Sequence, residues 1–283
     1  MIKKVGIVGF GQMGSGIAQV AAGAGFTVIA NEVSEELLDR GIGGITKRLD
    51  KGIEKGKLDE AFKEKTLGNI TTTTEFEPLA DCDLVIEAVT EDMLAKKEVF
   101  TELEKVCGPD TIFATNTSSL PVGDLSVVTK RREKFVGLHF FNPVPIMKLV
   151  EVVKTIDTDD ATYNAAKTFA EAVGKVVVTA NDTPGFIVNV LLVPYLLDAI
   201  RQFENGLATR DDIDNGMKLG CGHPMGPLTL TDFIGLDTIL YIGDIFFEEF
   251  KDSRYASPPL LRRMVNAGYL GKKSGRGFYD YRK

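Results

Sequence analysis

A glycine-rich turn near the start of the chain constrains the fold more than any other feature. Residues 4–10 form an apolar run, which is typical of a strand buried on both faces of a parallel sheet. Gly9, Gly11 and Gly14 stand in the spacing G-x-G-x-x-G, and a stretch with helical character follows them. Strand, glycine turn, helix and a second strand at 27–30 together predict a βαβ unit with parallel strands.

The same turn predicts where a phosphate-bearing cofactor binds. Gly9 permits the tight turn, Gly11 lets the backbone approach a pyrophosphate, and Gly14 allows close packing of helix on strand. The N-terminus of the following helix offers N–H groups and the positive end of its dipole to the phosphates. A glycine turn that only packs a helix against a sheet is the alternative interpretation.

Glu32 stands at the end of the second predicted strand. A carboxylate at this point accepts hydrogen bonds from the adenosine ribose hydroxyls and repels a 2′-phosphate. No arginine occurs in the next few residues. The sequence therefore predicts NAD(H) rather than NADP(H), and a merely solvated Glu32 is the alternative.

The pattern of predicted elements changes along the chain. Further strands are predicted at 69–74, 82–89, 111–115, 135–139, 149–153 and 175–179, with helices at 14–25, 35–57, 92–106 and 160–173. After Pro184-Gly185 the chain is predicted to be mostly helical. We therefore expect an α/β fold, a Rossmann-type doubly wound sheet in residues 1–183, followed by a smaller all-helical domain in residues 184–283.

Composition narrows the class of partner and the compartment. The formal net charge of −7 does not favour binding to a nucleic acid or an anionic membrane. The most apolar stretch, residues 186–197, contains Asn189 and Pro194 and is too short and too polar to span a bilayer. Three widely spaced cysteines without a C-x-x-C pair fit a reducing cytoplasm, and a strand pattern that begins at once leaves no room for a signal peptide. No bound metal is expected.

Two histidines occur in the chain, which shortens the search for a general base. His139 ends the predicted strand 135–139, and the carboxyl ends of strands in an open α/β sheet face the ligand crevice. Imidazole suits the removal of a hydroxyl proton because its pKa lies near the operating pH, so His139 is the candidate base. A histidine satisfied within the core is the alternative. For His223, in a turn-rich loop of the helical part, a structural role is expected.

Three other polar residues join this hypothesis. Glu151 is an acid inside the apolar strand 149–153, and acids are rarely buried without a partner. We expect it to pair with His139, and a solvated edge strand is the alternative. Ser118 follows the strand 111–115 and could hold a substrate oxygen. Asn189 lies within an apolar helix, where a buried amide must find partners and a substrate oxygen could be one.

The chain resembles the L-3-hydroxyacyl-CoA dehydrogenase family over essentially its whole length. It resembles most closely the stand-alone bacterial members that act on substrates with a short acyl chain. The segments that carry the resemblance are residues 9–16, 83–88, 116–119, 139–143, 147–152, 184–186, 223–227, 232–237 and 271–281. The resemblance implies an enzyme that interconverts (S)-3-hydroxybutyryl-CoA and acetoacetyl-CoA with NAD(H). Such a reaction serves butanoate metabolism and fatty acid metabolism alike.

The resemblance also implies roles for individual residues. His139 would be the general base and acid, with Glu151 as its partner. Ser118 and Asn189 would hold the 3-oxygen and the thioester region of the substrate. The residues implied to bind the cofactor are Gly9, Gly11, Gln12, Met13, Gly14, Glu32, Glu91, Lys96, Asn116, Ser118, Asn142 and Lys273.

Binding of the CoA moiety points to a helix of the first domain. Lys51 and Lys55 are four residues apart and therefore share one face of the predicted helix 35–57. Family members use lysines of this helix for CoA phosphates, while a solvated charged face fits the same pattern. Family members also form homodimers through the helical domain, and the apolar helix at 186–197 agrees with that.

Two other functions remain open. A related hydroxy-acid or sugar-acid dehydrogenase would have the same architecture but would not use CoA. A non-catalytic NAD-binding protein would need the glycine turn but none of the four polar residues His139, Glu151, Ser118 and Asn189.

Overall fold

The structure, a computed structural model, describes residues 1–282. The chain divides into two compact units, Met1–Phe186 and the chain from Ile187 onward. The first unit is α/β and the second is helical, as the sequence predicts.

Within residues 1–282 the first unit contains one eight-stranded sheet. Its strands are β1 (Lys4–Val8), β2 (Thr27–Asn31), β3 (Ile70–Thr73), β4 (Leu84–Glu87), β5 (Ile112–Thr115), β6 (Phe135–Phe140), β7 (Leu149–Lys154) and β8 (Val176–Asn181). They lie in the order β3-β2-β1-β4-β5-β6-β7-β8, and β1 to β6 are parallel. The order reverses at β1, which is the point where open sheets of this class bind ligands. The predicted doubly wound fold is confirmed.

The seventh strand changes direction. β7 runs antiparallel to β6, and β8 runs parallel to β7. This pairing places His139 directly opposite Glu151. Directly opposite residues of an antiparallel pair project from the same face of the sheet, so the two side chains can meet.

The helices of the first unit are α1 (Gln12–Gly23), α2 (Glu35–Glu54), α3 (Glu60–Gly68), α4 (Met93–Val106), α5 (Val122–Ser126) and α6 (Asp160–Ala172). α2 starts at Ser34, whose side chain accepts a hydrogen bond from Leu37 N. Its buried stripe, Leu38, Ile45 and Leu49, packs on the core and leaves the neighbouring face of the helix beside the glycine turn.

The sheet buries apolar side chains on both faces. β1 contributes Val5 and Ile7 to one core cluster and Val8 to the other. Because both faces are covered, the strand has no polar alternation, and this absence made β1 recognisable in the sequence.

The helices of the second unit are α7 (Val188–Glu204), α8 (Arg210–Gly220), α9 (Pro227–Ile234), α10 (Leu236–Phe250) and α11 (Pro259–Asn266). The buried carboxylate of Asp232 accepts hydrogen bonds from Phe278 N at 2.8 Å, Tyr279 N at 2.9 Å and the Tyr281 hydroxyl at 3.0 Å. These bonds fasten the last residues of the described chain to α9. Among residues 1–282 no helix combines the length and the apolar character needed to cross a bilayer.

Candidate active site

The turn between β1 and α1 has the geometry that its glycines predict. Gly9 has φ +88°, and its N–H donates to the carbonyl oxygen of Asn31 at 3.0 Å. A Cβ on Gly14 would overlap the carbonyl oxygen of Gly9, so α1 packs directly on the turn. A Cβ on Gly11 would meet no atom within 4 Å among residues 1–282. The turn is thus tight on its protein side and open on the side where a pyrophosphate would approach.

Glu32 follows β2 and is held beside this turn. Its Oε2 accepts a hydrogen bond from Phe10 N at 2.9 Å, and its Oε1 accepts one from Val33 N at 2.8 Å. The carboxylate borders a cleft of about 430 Å³ outside the carboxyl ends of β1 and β2. The cleft is lined by Phe10, Gly11, Gln12, Ser15, Glu32, Leu37, Arg40, Gly41, Gly44 and Arg48. Dinucleotides bind to sheets of this order at this position.

Two arginines, Arg40 and Arg48, line this cleft, and neither was predicted as part of the cofactor site. Neither arginine follows Glu32 directly in the chain, but a helix returns to the same face about every 3.6 residues. Both arginines belong to the face of α2 that lines the cleft. Arg48 Nε donates to Gln19 Oε1 at 2.6 Å and its Nη2 donates to Ser15 Oγ at 3.3 Å, while burial lowers the pKa of Arg48. The i, i+4 pattern of α2 could have revealed both residues.

His139 and Glu151 form a buried pair across β6 and β7. His139 Nδ1 lies 2.6 Å from Glu151 Oε2, and His139 Nε2 lies 3.1 Å from Ser118 Oγ. Glu151 is 0% exposed, and β7 lies between β6 and β8, so the alternative of a solvated edge strand does not apply. A carboxylate at Nδ1 keeps a proton on that nitrogen, which leaves Nε2 as the basic atom facing the Ser118 hydroxyl.

Aromatic rings enclose the imidazole. The ring centroids of Phe141 and Phe186 lie 4.5 Å and 5.5 Å from that of His139. Phe186 has φ +51°, a left-handed conformation that side chains other than glycine rarely adopt. Such conformations persist where the surrounding structure fixes them, and they cluster at functional sites.

The buried side chain of Asn116 holds the end of β6. Its Oδ1 accepts a hydrogen bond from Phe140 N at 2.9 Å, and Phe140 directly follows His139. Asn116 therefore fixes the main chain that carries the imidazole. This contact adds to the cofactor role that the resemblance implies for Asn116.

Glu91 organises the turn that carries Ser118. Its Oε1 accepts hydrogen bonds from Thr117 Oγ1 at 2.6 Å, Ser118 N at 2.7 Å and Ser119 N at 3.1 Å. Burial by itself would raise the pKa of Glu91, but the charge of Lys96 and these donors together lower it. Glu91 is therefore an anion that holds the main chain of the turn that carries Ser118.

Lys96 lies in a buried ionic cluster at the ends of β4 and β5. Its Nζ lies 2.7 Å from Glu87 Oε1 and 3.4 Å from Glu91 Oε2. Thr115 Oγ1 donates to Glu87 Oε2 at 2.7 Å. Burial raises the pKa of Glu87, and the neighbouring ammonium acts in the opposite direction. Glu87 was missed from the sequence, although an acid that closes an apolar strand is the same signal that identified Glu151.

The glycine turn also contacts the loop after β6. Gln12 Nε2 donates to Asn142 Oδ1 at 3.0 Å, so two residues implied for the cofactor meet through their side chains. Met13 is half-buried and packs against the core. Lys51, in the last turn of α2, and Lys55, at its C-cap, are exposed.

The other predicted residues belong to the helical unit. Asn189 is half-buried in the first turn of α7. Lys273 Nζ lies 2.7 Å from a carboxylate oxygen of Asp237. His223 Nδ1 lies 3.2 Å from the Tyr195 hydroxyl, a contact that agrees with the structural role expected for His223.

A dinucleotide cleft and a buried imidazole–carboxylate pair at the carboxyl ends of one sheet define a nicotinamide-dependent oxidoreductase. Residues 4–183 match the family of the 3-hydroxyacyl-CoA dehydrogenase NAD binding domain, and residues 185–281 match that of the 3-hydroxyacyl-CoA dehydrogenase C-terminal domain. The chain therefore belongs to the 3-hydroxyacyl-CoA dehydrogenase family, and NAD is its cofactor. The predicted family and cofactor are confirmed.

Individual relatives resemble the whole chain. It is 51% identical over 282 residues to a 3-hydroxybutyryl-CoA dehydrogenase of Mycobacterium tuberculosis, with 99% of each chain covered. It is 48% identical to one of Bradyrhizobium diazoefficiens, covering 100% of this chain and 96% of the relative. The crystal structure of (S)-3-hydroxybutyryl-CoA dehydrogenase PaaH1 from Ralstonia eutropha, 43% identical, superimposes with a TM-score of 0.97 over 100% of both chains.

Proposed function

We propose that this chain interconverts (S)-3-hydroxybutyryl-CoA and acetoacetyl-CoA with NAD(H). The observation that carries the proposal is the buried pair of His139 and Glu151, joined to Ser118, at the carboxyl edge of the sheet. The relatives named for this substrate, similar over the full chain, support the choice of acyl group.

His139 is the proposed general base and acid. During oxidation of the alcohol, its Nε2 takes the hydroxyl proton of the substrate. NAD⁺, when bound, would supply the acceptor for the hydride from carbon 3. Glu151, 2.6 Å from Nδ1, stabilises the imidazolium that forms. In the reverse direction the protonated imidazole returns the proton. Since reduction consumes a proton, low pH favours the hydroxyacyl product.

Ser118 and Asn189 are the proposed substrate-positioning residues. The Ser118 hydroxyl, 3.1 Å from Nε2, can hold the 3-oxygen at the distance that proton transfer requires. Asn189 is proposed for the same oxygen or for the thioester. Lys51 and Lys55 are proposed to attract the phosphates of CoA.

The remaining assignments are proposals about the organisation of the enzyme. We assign NAD binding to residues 1–183, and substrate binding and dimerisation to residues 184–283. The proposed state is a cytoplasmic homodimer. The residues proposed for the cofactor are Gly9, Gly11, Gln12, Met13, Gly14, Glu32, Glu91, Lys96, Asn116, Ser118, Asn142 and Lys273.

The decisive test is oxidation of NADH by purified protein, followed by absorbance after addition of acetoacetyl-CoA. Free acetoacetate, and NADPH in place of NADH, run in parallel. Rapid oxidation that needs both NADH and the thioester supports the proposal. Turnover with free acids but not with the thioester would favour the dehydrogenases that do not use CoA. Binding of NADH without any turnover would favour a non-catalytic role.

The two histidines provide a matched pair of variants for the same assay. His139→Ala should lower kcat about 10²–10⁴-fold, because a general base contributes a factor of that size. His223→Ala removes the contact with Tyr195 but no proposed catalytic group, and it should retain most of the turnover. Near-normal turnover of His139→Ala would exclude its role as base.

A further inference from the structure

The cleft beside the glycine turn is bordered by charges of both signs. Glu32 lies on one side, and the face of α2 that carries Arg40 and Arg48 lines the cleft as well. The Glu32 oxygens accept hydrogen bonds from the main-chain N–H groups of Phe10 and Val33. Among residues 1–282 neither arginine forms an ion pair with a carboxylate, so their charges are not neutralised within the described chain. A cleft of this kind can accept a phosphate once the local carboxylate is removed.

The two arginines differ in freedom and in position. The guanidinium of Arg48 is held by Gln19 and Ser15 and is partly withdrawn from solvent. Arg40 is exposed and belongs to the second turn of α2. Because a helix rises about 1.5 Å per residue, Arg48 lies about 12 Å further along α2 than Arg40. Arg40 is therefore the cation on the part of α2 that follows Glu32 most closely.

We propose that Arg40 is a latent ligand for an adenosine 2′-phosphate and that the Glu32 carboxylate alone keeps NADP(H) out of this cleft. The inference rests on the proposed binding of the adenosine ribose at Glu32. A 2′-phosphate would replace the ribose hydroxyl that donates a hydrogen bond to Glu32, and it would bring the phosphate and the carboxylate, both anions, close together. Without that carboxylate, a guanidinium in the same cleft offers charge-assisted, bidentate hydrogen bonds to the phosphate. Selection for NAD(H) then depends on one removable charge rather than on the shape of the cleft.

The test measures binding directly, by the change in NADPH and NADH fluorescence on titration with the full-length protein. Glu32→Ser and Glu32→Gln both remove the charge. Gln also keeps an oxygen that can accept a hydrogen bond from one main-chain N–H, so it serves as the second variant if the shorter serine weakens the turn. We expect the Kd for NADPH to fall at least about tenfold in both variants, which is the factor that corresponds to about 1.4 kcal/mol. Adding Arg40→Gln to either should return most of that gain.

Lys47 provides the matched control, since it is an exposed cation of α2 that does not line the cleft. The double variant Glu32→Ser/Lys47→Gln changes the formal charge as Glu32→Ser/Arg40→Gln does, and it should keep the improved NADPH binding. The proposal is overturned if NADPH binding stays weak in both Glu32 variants that still bind NADH. It is also overturned if Arg40→Gln costs no more affinity than Lys47→Gln. Because no acyl-CoA is present, failure of the proposed substrate would leave this result unchanged.

Discussion

Lys96 Nζ lies 2.7 Å from Glu87 Oε1, and the two side chains are 1% and 0% exposed. The pair joins the last residue of β4 to the first turn of α4, and Lys96 also lies 3.4 Å from Glu91, which accepts a hydrogen bond from Ser118 N. Both charges have lost their hydration, so each depends on the other and on the donors around it. The pair therefore couples the stability of the first unit to the geometry of the site.

Removing one member of this pair should be costly. Lys96→Met alone should lower the free energy of unfolding by about 3–5 kcal/mol, because the Glu87 charge stays buried without its partner. Glu87→Gln alone should cost less, because Lys96 keeps the carboxylate of Glu91 at 3.4 Å. The double variant should recover most of that loss. Chemical denaturation measures all three, with Lys105→Met at the exposed pair with Glu102 as a control expected to cost less than about 1 kcal/mol. Losses that simply add in the double variant would contradict the prediction.

Replacing the buried acid beside the imidazole should affect chemistry more than cofactor binding. In Glu151→Gln the amide can donate a hydrogen bond to Nδ1, which moves the ring proton to Nε2 and removes the basic lone pair from the site. We expect kcat to fall about 10²–10⁴-fold while the Kd for NADH changes little. Glu171→Gln, the same substitution at an exposed position of α6, is the control. A kcat within about threefold of the unsubstituted enzyme would show that Glu151 is dispensable.

Substitution by alanine should affect a different property at each of two glycines of the G-x-G-x-x-G segment. In Gly14→Ala the new Cβ overlaps the carbonyl oxygen of Gly9, so we expect a loss of stability seen as a lower Tm. In Gly11→Ala the Cβ meets open space among residues 1–282, so the Tm should hold while NADH binds much more weakly. Calorimetry and fluorescence titration separate the two effects. Normal NADH affinity in Gly11→Ala would show that the pyrophosphate does not bind against Gly11.

The lysines at the end of α2 should affect the CoA substrate alone. Lys51→Ala/Lys55→Ala should raise the KM for acetoacetyl-CoA several-fold, and the effect should shrink as salt is added because the charges are exposed. The KM for NADH should not follow. Lys130→Ala, another exposed lysine of the first unit, serves as the control. An unchanged KM for the thioester at low salt would assign both lysines to the solvated surface.

The three thiols should differ in reactivity. Burial raises the pKa of Cys82 to about 12 and that of Cys107 to about 11, so neither forms the reactive thiolate near neutral pH. Cys221 is exposed. A chromogenic disulfide reagent should therefore titrate one thiol in the native protein and three after denaturation. More than one fast thiol in the native protein would contradict the burial of Cys82, just before β4, and of Cys107, at the end of α4.

The sequence was most informative where the structure is most apolar. Every strand of the sheet was predicted, most of them because they are short apolar runs bounded by turn residues, and β3 because threonine favours strands. α3 and α5 were missed for different reasons. α3 buries only Thr66 and so has no apolar stripe, and α5, Val122–Ser126, is too short to show a helical period.

Within the site, local patterns identified some partners and missed others. Glu151 was found because an acid in an apolar strand demands a partner, and the pairing of β6 with β7 supplies His139. Arg40 was missed because it lines the same cleft as Glu32 from the second turn of α2 rather than from a position next to Glu32 in the chain. The Glu91 contacts to residues 117–119 were missed because they join two loops that follow different strands.

The pairing of β6 with β7 also bears on how the first unit folds. His139 and Glu151 are separated by 12 positions, whereas the ends of β1 and β4 meet across about 80 positions, as the bond from Lys3 N to Asp83 shows. The entropy lost in closing a loop grows with its length, so the short hairpin closes at lower cost than the long crossover. The proton-transfer pair can therefore assemble from one contiguous piece of chain, whereas the pairing of β1 with β4 brings together segments about 80 positions apart. Formation of the imidazole–carboxylate contact during refolding therefore reports the β6–β7 hairpin and not the completed sheet.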